Sequence, residues 1–347
     1  MSLLETLFRQ LAMTPARLQP RPRRSIPWAA QQLELRTLLS ASPSEFVDPH
    51  PQVGNQFGAT VTPVANGNVV ITAPNDDSGG GSTVGDSGAG AVYLYNGQTG
   101  ALISTLSGSH PGDHLGSGGV SALTNGNFVI DSPKWNGGLG AVTWGNGTSG
   151  VAGSVSAANS LVGTLPNDHV GDTSNGGGIT ALSNGNYVVD SPAWNNNFGA
   201  VTWGNGTSGG TGTVSAANSL VGIAKNDFTG SSGVTALSNG NYVVDSPAWN
   251  NNFGAVTWGS GTSGVKGAVD ATNSLIGSSK SDSVGSSGIT ALSRGNYVID
   301  SPAWNNKIGA VTWSSGTAGI TGLISATNSL VGNVSGDAAG SQGILTL

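Results

Sequence analysis

The sequence predicts an all-β fold, a β-propeller-like array of four-stranded blades. Glycine is abundant, with 57 of the 347 residues, and charged residues make up only 9%. Such a composition, with turn residues spread among short apolar runs, is typical of β repeat proteins. A β-helix or other solenoid is the alternative architecture, although one β-helix coil is about half as long as the repeat found here, or shorter.

The second observation is an internal repeat of 55 or 59 residues. An Asp-Ser-Pro-x-Trp element starts at Asp131, Asp190, Asp245 and Asp300. A second marker, an Asp followed three residues later by Gly, is in register at Asp113, Asp168, Asp227, Asp282 and Asp337. Four inserted residues, 172–175, account for the longer spacing.

These markers divide a repeat domain, residues 46–347, into five units and part of a sixth. The units span about 54–111, 112–166, 167–225, 226–280 and 281–335, with the partial unit at 336–347. A closed propeller normally ends at a blade boundary. We therefore expect either an incomplete ring or a chain that is part of a longer protein, with an edge strand left unpaired.

The third observation is that each unit contains four short apolar runs, each of strand length. In residues 178–222 they are "GITALS", "NYVVDS", "GAVTW" and "SLVG". The first two are joined by Asn-Gly, which predicts a two-residue hairpin turn with both residues at positive φ. The second run is apolar throughout, so we expect it to be buried on both faces between stacked sheets.

The N-terminal segment, residues 1–45, is predicted to be a leader or targeting segment with one short helix. Leucines and a phenylalanine fall at helical spacing within 2–12, and prolines follow. Residues 32–43, "QLELRTLLSASP", resemble the N-terminal "LEPR-LLSA" signature of exported planctomycete-type proteins, with Leu35 in place of proline. This resemblance implies export to the cell surface or beyond.

The repeats resemble two known families. Residues 57–100 resemble the FG-GAP repeat of integrin-type β-propellers, with Phe57-Gly58 and Ala73-Pro74 as the two halves of its name. Residues 54–347 are similar to a bacterial repeat of unknown function found in large surface or haemagglutinin-like proteins. Both resemblances imply a propeller-like fold and a role outside the cell.

A calcium site is implied by the FG-GAP resemblance, because integrin-type blades bind the ion in a D-x-D-x-D-G hairpin loop. The corresponding turn here is "LSNGN", without a carboxylate. The remaining candidate is the acidic loop 75–90, where Asp76, Asp77 and Asp86 could supply oxygen ligands. A solvated, glycine-rich loop without a cofactor is the alternative interpretation.

The "PAWNN" motif offers a candidate ligand site. Exposed indole rings beside asparagine amides would suit stacking on sugar faces, whereas buried rings would pack between blades. The candidate residues are Trp135, Trp194, Asn195, Asn196, Trp249, Asn250, Asn251 and Trp304. The Asp that precedes each Ser-Pro is expected to accept backbone N–H bonds, or else to join a ring of carboxylates around a central channel.

Together these patterns predict a non-enzymatic exported or cell-surface scaffold or adhesion module. The alternatives are a carbohydrate-binding propeller and a calcium-binding propeller, with surface glycans or surface proteins as partners. No nucleophile elbow stands out as it would in a hydrolase. Residues 41–347 carry six basic and sixteen acidic groups, which argues against nucleic acid as a partner. No run of apolar residues is long enough for a transmembrane helix.

Overall fold

The computed structural model describes residues 45–64, 66–77, 88–172 and 177–344. All of them belong to the second of two compact units, Ser44–Leu347. The predicted leader helix and export signature lie outside the described residues. No helix among the described residues is long and apolar enough to cross a membrane.

The described chain forms five small sheets. The first contains β1 (Val61–Pro63), β2 (Val69–Ala73), β3 (Ala91–Tyr95) and β4 (Leu102–Ser107). The second contains β5 (Gly119–Ala122), β6 (Phe128–Ser132), β7 (Ala141–Gly145) and β9 (Ser160–Val162), with β8 (Gly153–Ser154) lying between β7 and β9 in sequence.

The next three sheets repeat this order. The third contains β10 (Gly178–Ala181), β11 (Tyr187–Ser191), β12 (Ala200–Gly204) and β14 (Ser219–Val221), and β13 is Gly212–Thr213. The fourth contains β15 (Val234–Ala236), β16 (Tyr242–Ser246), β17 (Ala255–Gly259) and β19 (Ser274–Ile276), and β18 is Gly267–Ala268. The fifth contains β20 (Ile289–Ala291), β21 (Tyr297–Ser301), β22 (Ala310–Ser314) and β24 (Leu330–Val331), and β23 is Gly322–Leu323.

The short helical elements are single turns. They are α1 (Trp135–Gly138), α2 (Trp194–Asn197), α3 (Trp249–Asn252) and α4 (Trp304–Lys307), together with a 3-10 turn at Ser293–Gly295. Each α element joins the second strand of a unit to the third.

The sheets confirm the propeller-like array, with one correction to the predicted blade. The first four sheets have five strands rather than four, because the next unit adds a two-residue parallel strand to the outer edge. For example, β13 leaves the third unit and pairs Gly212 with Leu161 of β9 before the chain returns as β14. Each unit is thereby joined to the preceding one by backbone hydrogen bonds. The strands within a unit are antiparallel neighbours, unlike the parallel coils of a β-helix.

The sheets stack face to face, as the apolar second strand predicted. Strand β11 is buried along its whole length. One core cluster joins Val129 and Val142 of the second sheet to Tyr187, Val189 and Ala200 of the third. Apolar burial between consecutive sheets is therefore the main source of stability.

The Asn-Gly hairpins form as predicted, but with a different turn. Leu182 N–H donates to Asn186 O at 2.8 Å and Gly185 N–H to Leu182 O at 3.1 Å, which defines a three-residue loop closed by a glycine bulge. Gly185 has φ +87°, whereas Asn184 is outside the positive-φ region. The Asn184 side chain is free for another role because the turn does not need its backbone in the left-handed region.

That role is a joint between consecutive units. The carbonyl oxygen of Gly206 accepts hydrogen bonds from Asn125 Nδ2 at 2.7 Å, Asn127 Nδ2 at 2.8 Å and Trp144 Nε1 at 2.9 Å, all from the preceding unit. The arrangement repeats at the carbonyls of Gly261 and Gly316. We call this arrangement the glycine joint.

The first sheet is covered by the chain that precedes it. Phe46 and Phe57 pack on Tyr93 and Tyr95, with the Phe46 and Tyr95 ring centroids 5.4 Å apart. Tyr95 also donates its hydroxyl to the carbonyl of Val47 at 2.7 Å. These aromatic rings occupy the face that a preceding sheet covers elsewhere, so they act as a cap on the array.

Replacing Trp203 by Phe should weaken one joint without changing the fold. The ring stays apolar, but the hydrogen bond from Nε1 to Gly261 O, 3.0 Å long, is lost. We expect the free energy of unfolding to fall by about 1 kcal/mol, measured by urea denaturation. Ser208→Ala, at an exposed position, is the matched control and should leave it unchanged. An unchanged value for Trp203→Phe would contradict a stabilising joint.

Candidate functional site

The candidate site is the row of Trp-Asn turns. In α2 the three residues after Trp194 are in the left-handed region, with φ of +51°, +58° and +67° for Asn195, Asn196 and Asn197. Asparagine adopts this region at lower cost than other non-glycine residues. The asparagine run is therefore explained by the backbone, and α1 has two glycines in the corresponding places.

The indole rings of these turns lie in the core. Trp135, Trp194, Trp249 and Trp304 are only 6%, 8%, 3% and 8% exposed. Trp194 belongs to the same cluster as Tyr187 and Val189. The rings therefore follow the packing alternative, and their faces are not available for stacking on sugars.

A buried aspartate holds each turn in place. Asp168 Oδ1 accepts the N–H of Asn195 at 2.7 Å, while its Oδ2 accepts the N–H groups of Thr164 and Leu165 at 2.7 and 2.8 Å. Asp113, Asp227 and Asp282 make the same three backbone contacts at their equivalent positions. The second sequence marker is therefore a clasp between the loop that joins two units and the Trp-Asn turn of the later unit.

Clefts open beside the clasps on consecutive units. One of about 330 Å³ is lined by Lys225, Asn226, Phe228, Asn251 and Asn252, among others. Another of about 300 Å³ lies at the equivalent place in the fifth unit, with Lys280, Ser281, Asn305, Asn306 and Lys307 in its wall. Both are at the small end of the range for ligand pockets.

The asparagines predicted as ligand-binding residues fall into two groups, those that bind the clasp aspartate and those that are exposed near the clefts. Asn195 and Asn250 are half-buried and give their backbone N–H to the clasp. Asn196 and Asn251 are exposed, and Asn251 lines a cleft. Sequence reasoning missed Lys225 and Lys280, whose only signal was their matching position two residues before the marker Asp.

The described part of the acidic loop shows two of its three aspartates. Asp76 is buried and accepts the Tyr93 hydroxyl at 2.5 Å, and Asp77 Oδ1 accepts the N–H of Gly88 at 3.0 Å. Asp86 lies outside the described residues. No cluster of three metal-ligating side chains occurs in the part of the chain that the structure describes. The calcium site stays a prediction.

The aspartates of the Asp-Ser-Pro elements lie between consecutive units. Asp190 Oδ1 lies so close to Gly230 of the next unit that a Cβ there would be 2.0 Å away. Neither carboxyl oxygen of Asp190 has a well-aligned partner. The backbone-acceptor role predicted for this position belongs instead to Ser191, whose Oγ accepts the N–H of Gly171 at 3.2 Å.

Burial governs the ionisation of these aspartates. It raises the pKa of Asp190 well above the ordinary value of 3.8, and the neighbouring Ser191 N–H offsets this only in part. Asp131 and Asp245 show the same direction for the same reason. Each of these carboxyls is packed against a glycine of the next unit.

Asp190→Asn should stabilise the protein at neutral pH. Because the folded-state pKa is raised, the wild-type carboxyl contributes its full stability below pH 3.8 and loses it as the pH rises through the folded-state pKa. We expect the variant to gain about 1–3 kcal/mol at pH 7 and to match wild type near pH 3, measured by urea denaturation across pH. Asp270→Asn, at an exposed position where Thr272 lowers the pKa, is the control and should show no such gain. A gain that does not depend on pH would contradict the buried-acid interpretation.

Comparison with known proteins identifies the repeat. The profile described as "Repeat of unknown function (DUF5650)" matches residues 122–172, 181–231, 236–286 and 291–341, more than half of the chain. No curated protein sequence matches.

Two solved structures are similar in part. The C-terminal WD40 domain of Sif2 is 14% identical, with a TM-score of 0.35 over 80% of this chain and 59% of that one. BamB from Moraxella catarrhalis is 11% identical, with a TM-score of 0.33 over 76% of this chain and 62% of that one. The chain thus spans less than two thirds of either structure. By its four matched repeats, the chain belongs to the DUF5650 repeat family.

Proposed function

We propose that the protein is a non-enzymatic scaffold or adhesion module, exported to the cell surface. The observation that carries this proposal is that the second, third and fourth units use their chemically versatile side chains for structural bonds. The marker aspartate is buried in a clasp, as Asp168 shows, and the second tryptophan is bound in a joint, as Trp203 shows. Because the same side chains are used for the same structural hydrogen bonds in successive units, a scaffold role is favoured over catalysis.

The joints also favour a stiff array. Consecutive units share apolar clusters, a glycine joint and a two-residue parallel strand. In repeat proteins the interfaces between neighbours set the cooperativity of the whole array. A stiff array that presents loops at regular intervals suits a surface module, and the resemblance of residues 32–43 to an export signature supports placing it outside the cell.

Surface display can be tested on intact cells of the organism that carries the protein. We expect an externally added protease to remove the chain while a cytoplasmic marker protein survives, measured by immunoblotting with antibodies against residues 46–347. Lysed cells, in which both proteins are exposed, serve as the control. Survival of the chain in intact cells together with its loss in lysed cells would contradict a surface location.

Carbohydrate binding is the second candidate, now through the clefts rather than the indole rings. The favouring observation is that consecutive units carry clefts of similar size, each lined by asparagine amides beside a lysine. Amide groups can donate and accept hydrogen bonds with sugar hydroxyls. Equivalent sites along one array would bind a repeating polysaccharide at several points at once, which would raise the overall affinity above that of a single cleft.

A glycan array probed with the full chain tests this candidate. We expect Asn251→Gly combined with Asn306→Gly to weaken binding by about tenfold, the equivalent of 1.4 kcal/mol, because two cleft amides are lost. Glycine keeps the left-handed backbone, and the second unit already has Gly137 there. Ser208→Ala is the control. Binding to no glycan, or equal binding by the variant, would contradict the proposal.

The dependence of glycan binding on calcium can be measured in the same assay. If Asp76, Asp77 and Asp86 hold calcium for ligand binding, EGTA should abolish the signal and added calcium should restore it. Binding that is unchanged by EGTA would contradict this second alternative.

A further inference from the structure

The fifth sheet exposes side chains that the other sheets bury. Leu330 is 74% exposed, whereas its equivalents Leu161, Leu220 and Leu275 are 3%, 0% and 0% exposed. Trp313 is 56% exposed, whereas its equivalents in the three preceding units are half-buried. Val298 pairs with Trp313 and Val311 with Leu330 in the register of the sheet, so the four side chains lie on one apolar face, which we call the open face.

The other joints show what covers such a face. Trp258, equivalent to Trp313, gives its indole N–H to the carbonyl of Gly316 in the next unit at 3.0 Å. Strand β19, equivalent to β24, is extended by the parallel strand β23 of the next unit. The fifth sheet has four described strands, and β24 forms its edge.

The chain after β24 follows the course seen at the earlier joints. Gly309 forms a parallel bridge with Ala339, as Gly254 does with Val284. Ala339 N–H donates to Ile308 O at 3.1 Å, matching the bond of 3.2 Å from Val284 N–H to Phe253 O. The chain beside the open face therefore has the same backbone bridge and hydrogen bond that precede the next sheet at the earlier joints.

We propose that the open face docks a further unit of the same repeat, added in line after the fifth. That unit would offer a glycine carbonyl to Trp313 Nε1 and a two-residue parallel strand to β24. The first sheet of a second copy does not fit this place. Its corresponding face, with Tyr93 and Tyr95, is already covered by Phe46 and Phe57 of its own chain.

The test compares the full chain with an extended chain that carries a second copy of residues 293–344 after Leu347. Solvent exchange of the Trp313 indole N–H is followed by NMR and assigned by its loss in Trp313→Phe. We expect exchange to slow by about tenfold or more in the extended chain, because the N–H gains a buried acceptor. The Trp258 indole N–H is the internal standard and should be protected equally in both chains.

A charge on the open face provides a second variant. In the extended chain, Trp313→Asp should release the added unit, so that its amides exchange as rapidly as in an unfolded segment. In the chain without the extension, the same substitution should lower the unfolding midpoint much less, because Trp313 there is already 56% exposed.

Two results would overturn the proposal. Equal exchange of the Trp313 indole N–H in both chains would show that no unit docks on the open face. Concentration-dependent self-association of the unextended chain, seen by sedimentation and abolished by Trp313→Asp, would show that the occupant is a second copy of the chain.

Discussion

The array depends on one backbone acceptor in each joint. The carbonyl of Gly206 collects three donors from the preceding unit, and those of Gly261 and Gly316 do the same. A buried carbonyl that loses its hydrogen-bond partners carries the full free-energy cost of desolvation. The three hydrogen bonds to each glycine carbonyl are therefore expected to act together. Glycine is required there, because a Cβ on Gly206 would lie 1.6 Å from the carbonyl oxygen of Gly185.

The same closeness explains a second pairing across each interface. Asp190 lies against Gly230, Asp131 against Gly171 and Asp245 against Gly285. The first unit has Thr72 in the equivalent place, and its methyl group lies against Gly116. A buried carboxyl destabilises the folded state when it is ionised. These aspartates therefore lower the free energy of unfolding at neutral pH, although their side chains fit closely against the glycines of the next unit. Nothing in the geometry requires the charge itself.

The sequence predicted the repeat, the strands and their stacking, because all three are encoded in local patterns of apolar and turn residues. It did not predict the strand exchanged between units, since β13 has only two residues and its partner is about fifty residues away. It left two alternatives for the Trp-Asn turns for a related reason. "WNNNF" indicates either a platform or a left-handed turn, and only the packing of Trp194 under the turn distinguishes them. The clefts were missed because the loop that joins two units and the Trp-Asn turn of the later unit form them together.

Joints of this kind also account for the near-identity of neighbouring units. Each unit is a donor toward the next unit and an acceptor toward the previous one, so a change on one face needs a matching change on its neighbour. Identical units meet this condition automatically, and residues 180–204 and 235–259 are identical letter for letter. The first unit departs from the pattern, with Leu94 where later units have tryptophan, and its joint is correspondingly reduced to Asn68 on Gly147 O at 2.8 Å and Asn66 on Thr148. Its other face is covered by Phe46 and Phe57 of its own chain instead of by a preceding repeat, so fewer of its positions are constrained by the repeat.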